Sequence, residues 1–280
     1  MIKVCLAGLG RTGQEIAKVL LEQKNIKLVG VFCSPHSDKA GKDLAEYIGG
    51  KPTNIIITST DNLEQKVFKM RPDVVIDFTT PSSALKNAIT LSKMRVNMVI
   101  GTTGFSKMAL NKLYVLTRKY KSGIVYAPNI TMGVNVLMLL TNLASRLLNS
   151  YDFQITEVHH KNKKDSPSGT AIKIAKEIKK GISADGKEDD DISIPINSVR
   201  AGGVVGRHEV MIVGQDDKIE IAHESFSRKA FALGTIEAVN FIFKKSGYYE
   251  MKDVLNLDKV LSEYIKGQNK NTKESKSIAL

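Results

Sequence analysis

The densest chemistry in the chain lies in one stretch, Glu157-Val158-His159-His160-Lys161-Asn162-Lys163-Lys164-Asp165-Ser166-Pro167-Ser168-Gly169-Thr170. Imidazole is the usual proton carrier near neutral pH. Adjacent residues leaving a strand point in different directions, so His159 and His160 are expected to do different jobs. Lys163 supplies a point charge for a carboxylate. Ser168-Gly169-Thr170 opens a helical pattern, and the free N–H groups of a first turn can hold a second carboxylate. The stretch reads as a site for a small dianion with a proton source beside it. A metal site from His159, His160 and Asp165 competes with this reading. Adjacent histidines are poor partners for one ion and the lysines repel a cation, so no metal is expected. A plain basic surface loop is the remaining alternative.

A second signal is Gly8-Leu9-Gly10-Arg11-Thr12-Gly13, between an apolar run and a helical pattern. Gly8 permits a tight turn, Gly10 lets backbone approach a pyrophosphate, and Gly13 allows close packing of helix on strand. This dinucleotide fingerprint expects an acid about 20 residues on, gripping the ribose 2′-hydroxyl. Counting from Gly13 reaches Cys33-Ser34-Pro35, and the first acid is Asp38. Ser34 stands in the acid's place as an expected cofactor contact, with Arg11, His36 and Lys39 close in sequence. The expected cofactor is therefore NADPH or NADH, with NADPH favoured. Three more stretches follow apolar runs: Asp77-Phe78-Thr79-Thr80-Pro81, Gly101-Thr102-Thr103-Gly104 and Ala127-Pro128-Asn129-Ile130. Ligands of open α/β sheets sit at the carboxyl ends of strands, so these loops outline a cleft with room for a nicotinamide ring.

These loops need a scaffold. Apolar runs at Ile2–Ala7, Lys27–Cys33, Ile55–Thr58, Val74–Phe78, Val96–Ile100 and Ile124–Ala127 alternate with helical patterns such as Ser83–Lys93 and Ser106–Tyr120. That alternation predicts a parallel sheet covered on both faces. After Val134–Leu148 the pattern changes. Phe153–His160, a helix at Thr170–Lys179, an acidic loop at 185–191, and three runs at Ile192–Val199, His208–Val213 and Lys218–His223 suggest antiparallel strands, the last two joined by a Gly214–Asp217 turn. Helical patterns at Phe231–Phe243 and Asp253–Tyr264 follow. The expected architecture is α/β: a Rossmann-like doubly wound parallel sheet plus a central α+β domain. Residues 1–130 are expected to form the dinucleotide-binding domain and 131–240 the substrate-binding α+β domain. Residues 241–266 return to the first domain, and 267–280 form a disordered tail. Hinges are expected near Asn129–Gly133 and Ala230–Gly234.

Composition narrows the function classes. The 280 residues carry 41 Lys+Arg against 29 Asp+Glu, a net charge of +12. Part of that charge is local, since 266–280 holds four Lys and one Glu. No Lys/Arg run is interleaved with aromatics, Trp is absent, and no zinc-finger spacing occurs, so nucleic acid is not an expected partner. Small anionic ligands are the better use of the positive field. No apolar run approaches the roughly 18–20 residues of a membrane span, and the first ten residues lack the apolar core of a signal peptide. Cys5 and Cys33 cannot make a disulfide framework. Buried thiols and a cytoplasmic location are expected.

The chain resembles the 4-hydroxy-tetrahydrodipicolinate reductase (dihydrodipicolinate reductase) family. The likeness rests on E-V-H-H-K-N-K-K-D-S-P-S-G-T, D-F-T-T-P, G-T-T-G-F-S, A-P-N-I-T-M-G-V-N-V, V-R-A-G-G-V-V-G-R-H-E and S-R-K-A-F-A-L-G-T-I-E-A-V-N-F, and spans residues 1 to about 265. The family's glycine loop usually reads G-x-x-G-R-M-G; here it is one residue shorter, with Thr12 in place of the Met. The resemblance implies an NAD(P)H-dependent oxidoreductase of diaminopimelate and lysine biosynthesis, assembled as a homotetramer through the open sheet of its central domain. It implies that His159 is the catalytic proton donor/acceptor and Lys163 a second donor. It implies substrate contacts from His160, Gly169 and Thr170, with Arg228 as an anion contact; Ser168 and Thr103 are further expected substrate contacts. Cofactor contacts would come from Gly8 to Gly13, Gly101 to Thr103 and Ala127 to Ile130.

Overall fold

The computed structural model describes residues 1–183, 191–257 and 259–264. Most of the acidic loop and the basic tail lie outside the described residues. The first strands and helices alternate: β1 (Ile2–Ala7), α1 (Arg11–Glu22), β2 (Ile26–Cys33), α2 (Ala45–Ile48), β3 (Ile57–Ser59), α3 (Leu63–Met70), β4 (Val74–Asp77), α4 (Pro81–Lys93), β5 (Asn97–Ile100), α5 (Lys107–Tyr120) and β6 (Gly123–Tyr126). Then come α6 (Met132–Leu147), β7 (Asp152–His159), α7 (Gly169–Ile182), β8 (Ile196–Arg200), β9 (Gly206–Val213), β10 (Lys218–Ser225), α8 (Lys229–Ile242), β11 (Gly247–Tyr249) and α9 (Met251–Val254).

The first sheet is parallel, ordered β11-β6-β5-β4-β1-β2-β3. Its central strands are buried on both faces: Val74, Val75 and Ile76 of β4 show 1 % exposure or less. That is why they read as unbroken apolar runs. Strand order reverses at β1 and β4, a topological switch point where a crevice opens. On one face the core joins α1 to α8 through Ile16, Leu20, Ala238 and Val239. On the other, α4 and α5 contribute Leu91, Leu113 and Leu116. The chain thus returns to the first sheet at α8, ahead of the segment expected to do so. β11 adds an edge strand, Gly247–Tyr249, that the patterning did not announce.

The second sheet is ordered β10-β9-β7-β8, with α6 and α7 over one face. β9 and β10 form the expected antiparallel hairpin, closed by Gly214 N–H donating to the Asp217 carbonyl at 2.9 Å. β8 differs from expectation. It starts at Ile196 and runs parallel to β7. The cause is the connection: α7 lies between them, and a crossover helix returns the chain in the same direction. Cys5 and Cys33 are buried free thiols. No helix among the described residues is long and apolar enough to cross a membrane.

Candidate active site

The glycine loop leaves β1 at the switch point. Gly8 has φ +96°, and a Cβ there would lie 2.5 Å from the Phe78 carbonyl oxygen. A Cβ on Gly13 would lie 1.9 Å from the Gly8 carbonyl oxygen. Gly10 faces open space, with nothing within 4 Å of its would-be Cβ, and it caps α1 without a side-chain hydrogen bond. The first N–H groups of α1 thus look into a cradle with room for a pyrophosphate. Below, buried Asp77 ties neighbouring strand ends together. It accepts from Thr79 N–H at 3.0 Å, Thr79 Oγ1 at 2.6 Å, Asn87 Nδ2 at 2.8 Å and Thr102 Oγ1 at 3.4 Å. Burial still pushes its carboxyl above the usual range, against the pull of those donors.

Two cavities meet at this loop. A side cavity of about 290 Å³ is lined by Gly8, Leu9, Gly10, Ser34, Ser37 and Lys39 among others, with no acidic residue among the described ones. Lys39 Nζ donates to the Leu9 carbonyl at 2.8 Å, so its charge stands beside the glycine loop. The main cavity, about 450 Å³, lies between the two sheets. The first sheet's loops supply Gly10, Arg11, Thr12, Gly13, Gly101, Thr102, Thr103, Pro128, Asn129 and Ile130. The second unit supplies His159, His160, Lys163, Thr170, His208 and His223, and the start of α8 adds Arg228 and Phe231. Among the described residues no Asp or Glu lines it, while four of the chain's five histidines do. The two units touch inside it: Thr170 Oγ1 donates to Asn129 Oδ1 at 2.6 Å. The two expected hinge segments also meet, since a Cβ on Gly234 would lie 1.9 Å from the Ile130 carbonyl oxygen.

Three expected contacts sit elsewhere. Ala127 is 1 % exposed and packs in the core beneath the cavity. Ser168 is 1 % exposed and turned inward. Its Oγ accepts from Ala171 N–H at 3.1 Å, capping α7, and lies 3.3 Å from His208 Nε2, while its N–H donates to Glu157 Oε1 at 3.2 Å. The hydroxyl is thus engaged inside the protein, at its own helix cap and beside His208. Gly169 is exposed at the first position of α7, in open space, but outside the main cavity's lining.

His159 ends β7 and is buried, its Nδ1 bonded to Glu157 Oε2. The other Glu157 oxygen accepts from Arg200 Nη2 at 2.6 Å, and Arg200 also donates to the Asp165 carbonyl at 2.7 Å. Lys163 Nζ sits 2.8 Å from Asp165 Oδ1, so the expected point charge already has a partner. Burial alone would raise the Glu157 carboxyl, but Arg200, Ser198 and His159 bring it down to about 2. Burial lowers His159 below the ordinary imidazole range; Glu157 opposes this, and Lys163 and Arg200 add to it. His160 is lowered by burial and then by Arg11, Arg228, Lys163 and Arg200. Ligand atoms of Glu157, His159 and His208 lie within 4.8 Å of one another, a different trio from the one weighed in the sequence. Arg200 already occupies the carboxylate and Lys163 stands nearby, two cations that disfavour a metal ion here.

His208 gives a stability test. Burial, then His159, push its imidazole down to about 3, and its Nδ1 has no partner. The unfolded chain protonates this residue near 6.5, so protons favour unfolding and stability falls as pH drops through that value. From pH 6.5 to 5, above the carboxylate range, one such group costs about 2 kcal/mol. Thermal melts should fall over that window, and His208→Gln should flatten the slope. An unchanged slope would show that His208 is charged in the folded protein.

The sequence reading passed over His208, His223, Glu157 and Arg200 as a set. Alternation along β9 was the available signal: His208 shares the inward face with Val210 and Ile212. His223 stands opposite it across the β9–β10 pairing. The Glu157–Arg200 contact spans 43 positions and had no local signal.

A doubly wound sheet with a glycine cradle at its switch point, facing a second sheet that presents histidine and lysine, defines a two-domain oxidoreductase of the Rossmann type. The model of the dihydrodipicolinate reductase N-terminus matches residues 2–130, and that of its C-terminus residues 133–255. The chain belongs to the dihydrodipicolinate reductase family. It is 37 % identical over 272 residues to the 4-hydroxy-tetrahydrodipicolinate reductase of Methanococcus aeolicus, covering 92 % of this chain and 100 % of that one. The Methanopyrus kandleri enzyme of the same name is 38 % identical, covering 90 % and 95 %. Among solved structures, the dipicolinate-bound dihydrodipicolinate reductase of Paenisporosarcina sp. TG-14 superposes with a TM-score of 0.72 at 28 % identity, covering 89 % of this chain and 97 % of that one.

Proposed function

We infer that this chain reduces 4-hydroxy-tetrahydrodipicolinate to tetrahydrodipicolinate with NAD(P)H and loss of water, a step of diaminopimelate and lysine biosynthesis. The observation that carries the reading is the single cavity, without an acid among its described lining residues, that joins the glycine cradle to His159 and Lys163. The family relative solved with dipicolinate supports a planar dicarboxylate as its occupant.

The dinucleotide's pyrophosphate would sit on Gly8 to Gly13 and its ring against Gly101 to Thr103 and Pro128 to Ile130. When bound, the reduced nicotinamide supplies a hydride to the unsaturated ring left after water loss. Negative charge then moves toward the ring nitrogen and the adjacent carbon, which must take a proton. His159 is placed to give it through Nε2, because Nδ1 is held by Glu157. Burial holds its proton affinity down in the free protein; an incoming dianion would raise it and favour the charged ring where the proton is needed. Lys163 relays protons and grips one carboxylate, exchanging Asp165 for the substrate. His160, Thr103, Arg228 and the backbone at Gly169 and Thr170 hold the rest. Holding the ring in one pose against the nicotinamide removes the entropy of finding it.

The side cavity favours NADPH. It offers Ser34, Ser37 and Lys39 and, among the described residues, no carboxylate to repel a 2′-phosphate. With substrate made fresh by the preceding synthase, kcat/KM should be at least as high for NADPH as for NADH. Lys39→Ala should raise KM for NADPH about tenfold, the loss of one charge-assisted contact, and leave NADH little changed. Strict NADH dependence would refute the preference, and no oxidation of either would refute the function. A homotetramer would use the second sheet's uncovered face, where Val199 and Val213 are exposed; sedimentation of the free protein checks it, and a monomer would exclude it.

A further inference from the structure

Resting on that reading of His159, we propose that Glu157, clamped by Arg200, is the positioning residue that fixes the His159 tautomer and orientation for proton transfer. Glu157 is fully buried. Its position on β7, two residues before His159, puts both side chains on one face of the strand. One carboxylate oxygen bonds to His159 Nδ1, and the other accepts from Arg200 Nη2 and Ser168 N–H. Both oxygens are therefore pinned, and the carboxylate cannot rotate away from the imidazole. A carboxylate accepts only, so the neutral ring must carry its proton on Nδ1 and keep a lone pair on Nε2. Gly206 leaves room there: a Cβ on it would lie 3.1 Å from Nε2.

The other charged and titratable neighbours do not compete for that role. On β9, His208 lies edge-on to His159 with ring centroids 5.1 Å apart and is bonded to Ser168 instead. On β10, His223 is paired across the strand with His208. In the following loop, Lys163 is engaged by Asp165, and His160 faces the cavity's cations. On β8, Arg200 spends its charge on Glu157. Glu157 is thus the one carboxylate bonded to the catalytic ring among the described residues. Its charge also opposes the burial and the two cations that lower His159, so it sets how readily the ring charges when the dianion arrives.

The tautomer is read without substrate or turnover. In ligand-free protein with ¹⁵N-labelled histidine, His159 should show a protonated Nδ1 and an unprotonated Nε2 at neutral pH. Glu157→Gln keeps the shape but can donate as well as accept, so it should release the bias toward that tautomer. In the same variant kcat should fall by about 10²-fold, within the range for positioned acid–base catalysis. KM for the nucleotide should hold, and the pH at which kcat declines should shift to lower pH. Glu157→Asp, which keeps the charge, should recover part of the loss. An Nε2-protonated ring in the wild type overturns the proposal even if the reductase activity is present. So does Glu157→Gln with an unmoved pH profile. Absence of activity in the wild type, with the Nδ1 tautomer seen, would instead refute the function and leave the positioning intact.

Discussion

His159→Ala should lower kcat by about 10²-fold or more, the usual worth of a positioned proton donor, with little change in KM for the dicarboxylate. The separation follows from placement. In the proposed binding mode the carboxylates would be held by Lys163, His160, Arg228 and the start of α7, while His159 would meet the ring only where the proton is delivered. Nucleotide binding should also be untouched, because the glycine cradle lies on the other sheet. Removing the imidazole leaves the Glu157–Arg200 pair intact, so the site retains its charge balance. Steady-state rates for the purified variant decide the matter. Turnover near that of the wild type would take His159 out of the reaction.

Two substitutions in the glycine loop should fail in different ways. Gly13→Ala puts a methyl 1.9 Å from a backbone oxygen of Gly8, and neither atom is at the end of a flexible side chain. α1 must then shift off β1, which lowers the melting temperature and displaces the cradle. A displacement of about 1 Å is enough for a loss near 10²-fold. Gly10→Ala meets nothing in the free protein, and Gly10 has an ordinary φ of −80°. It should fold and melt like the wild type yet bind NADPH far more weakly, because its methyl would enter the space proposed for the pyrophosphate. Fluorescence titration with NADPH, beside a thermal melt, separates the two. Normal nucleotide affinity in Gly10→Ala would mean that the phosphates bind elsewhere.

The parts of the structure legible in the sequence were those written in local periodicity. β4 and β5 announced themselves because strands buried on both faces need unbroken apolar runs. The glycine loop was legible because each glycine answers a separate steric demand, now seen at Phe78 and at Gly8 itself. The direction of β8 was not local information. It depends on α7 carrying the chain back over the sheet, and the residues of β8 would suit either direction. β11 is three residues long and gains its place only by pairing with β6. Within the site, His159, His160 and Lys163 stood together in one motif, so their convergence was visible. Ser168 turns inward because the same hydroxyl that suits a ligand also suits an N-cap. Arg200 and His208 reached the site through strand pairing alone.

The most direct measurement is a crystal structure with NADPH and pyridine-2,6-dicarboxylate bound together. One carboxylate should lie over the Gly169–Thr170 end of α7 with Lys163 beside it, and His159 Nε2 should face the dicarboxylate ring where it stacks on the nicotinamide. A ligand bound away from that corner, with the His159 ring directed off it, would contradict the assignment of this cleft as the place where hydride and proton are delivered.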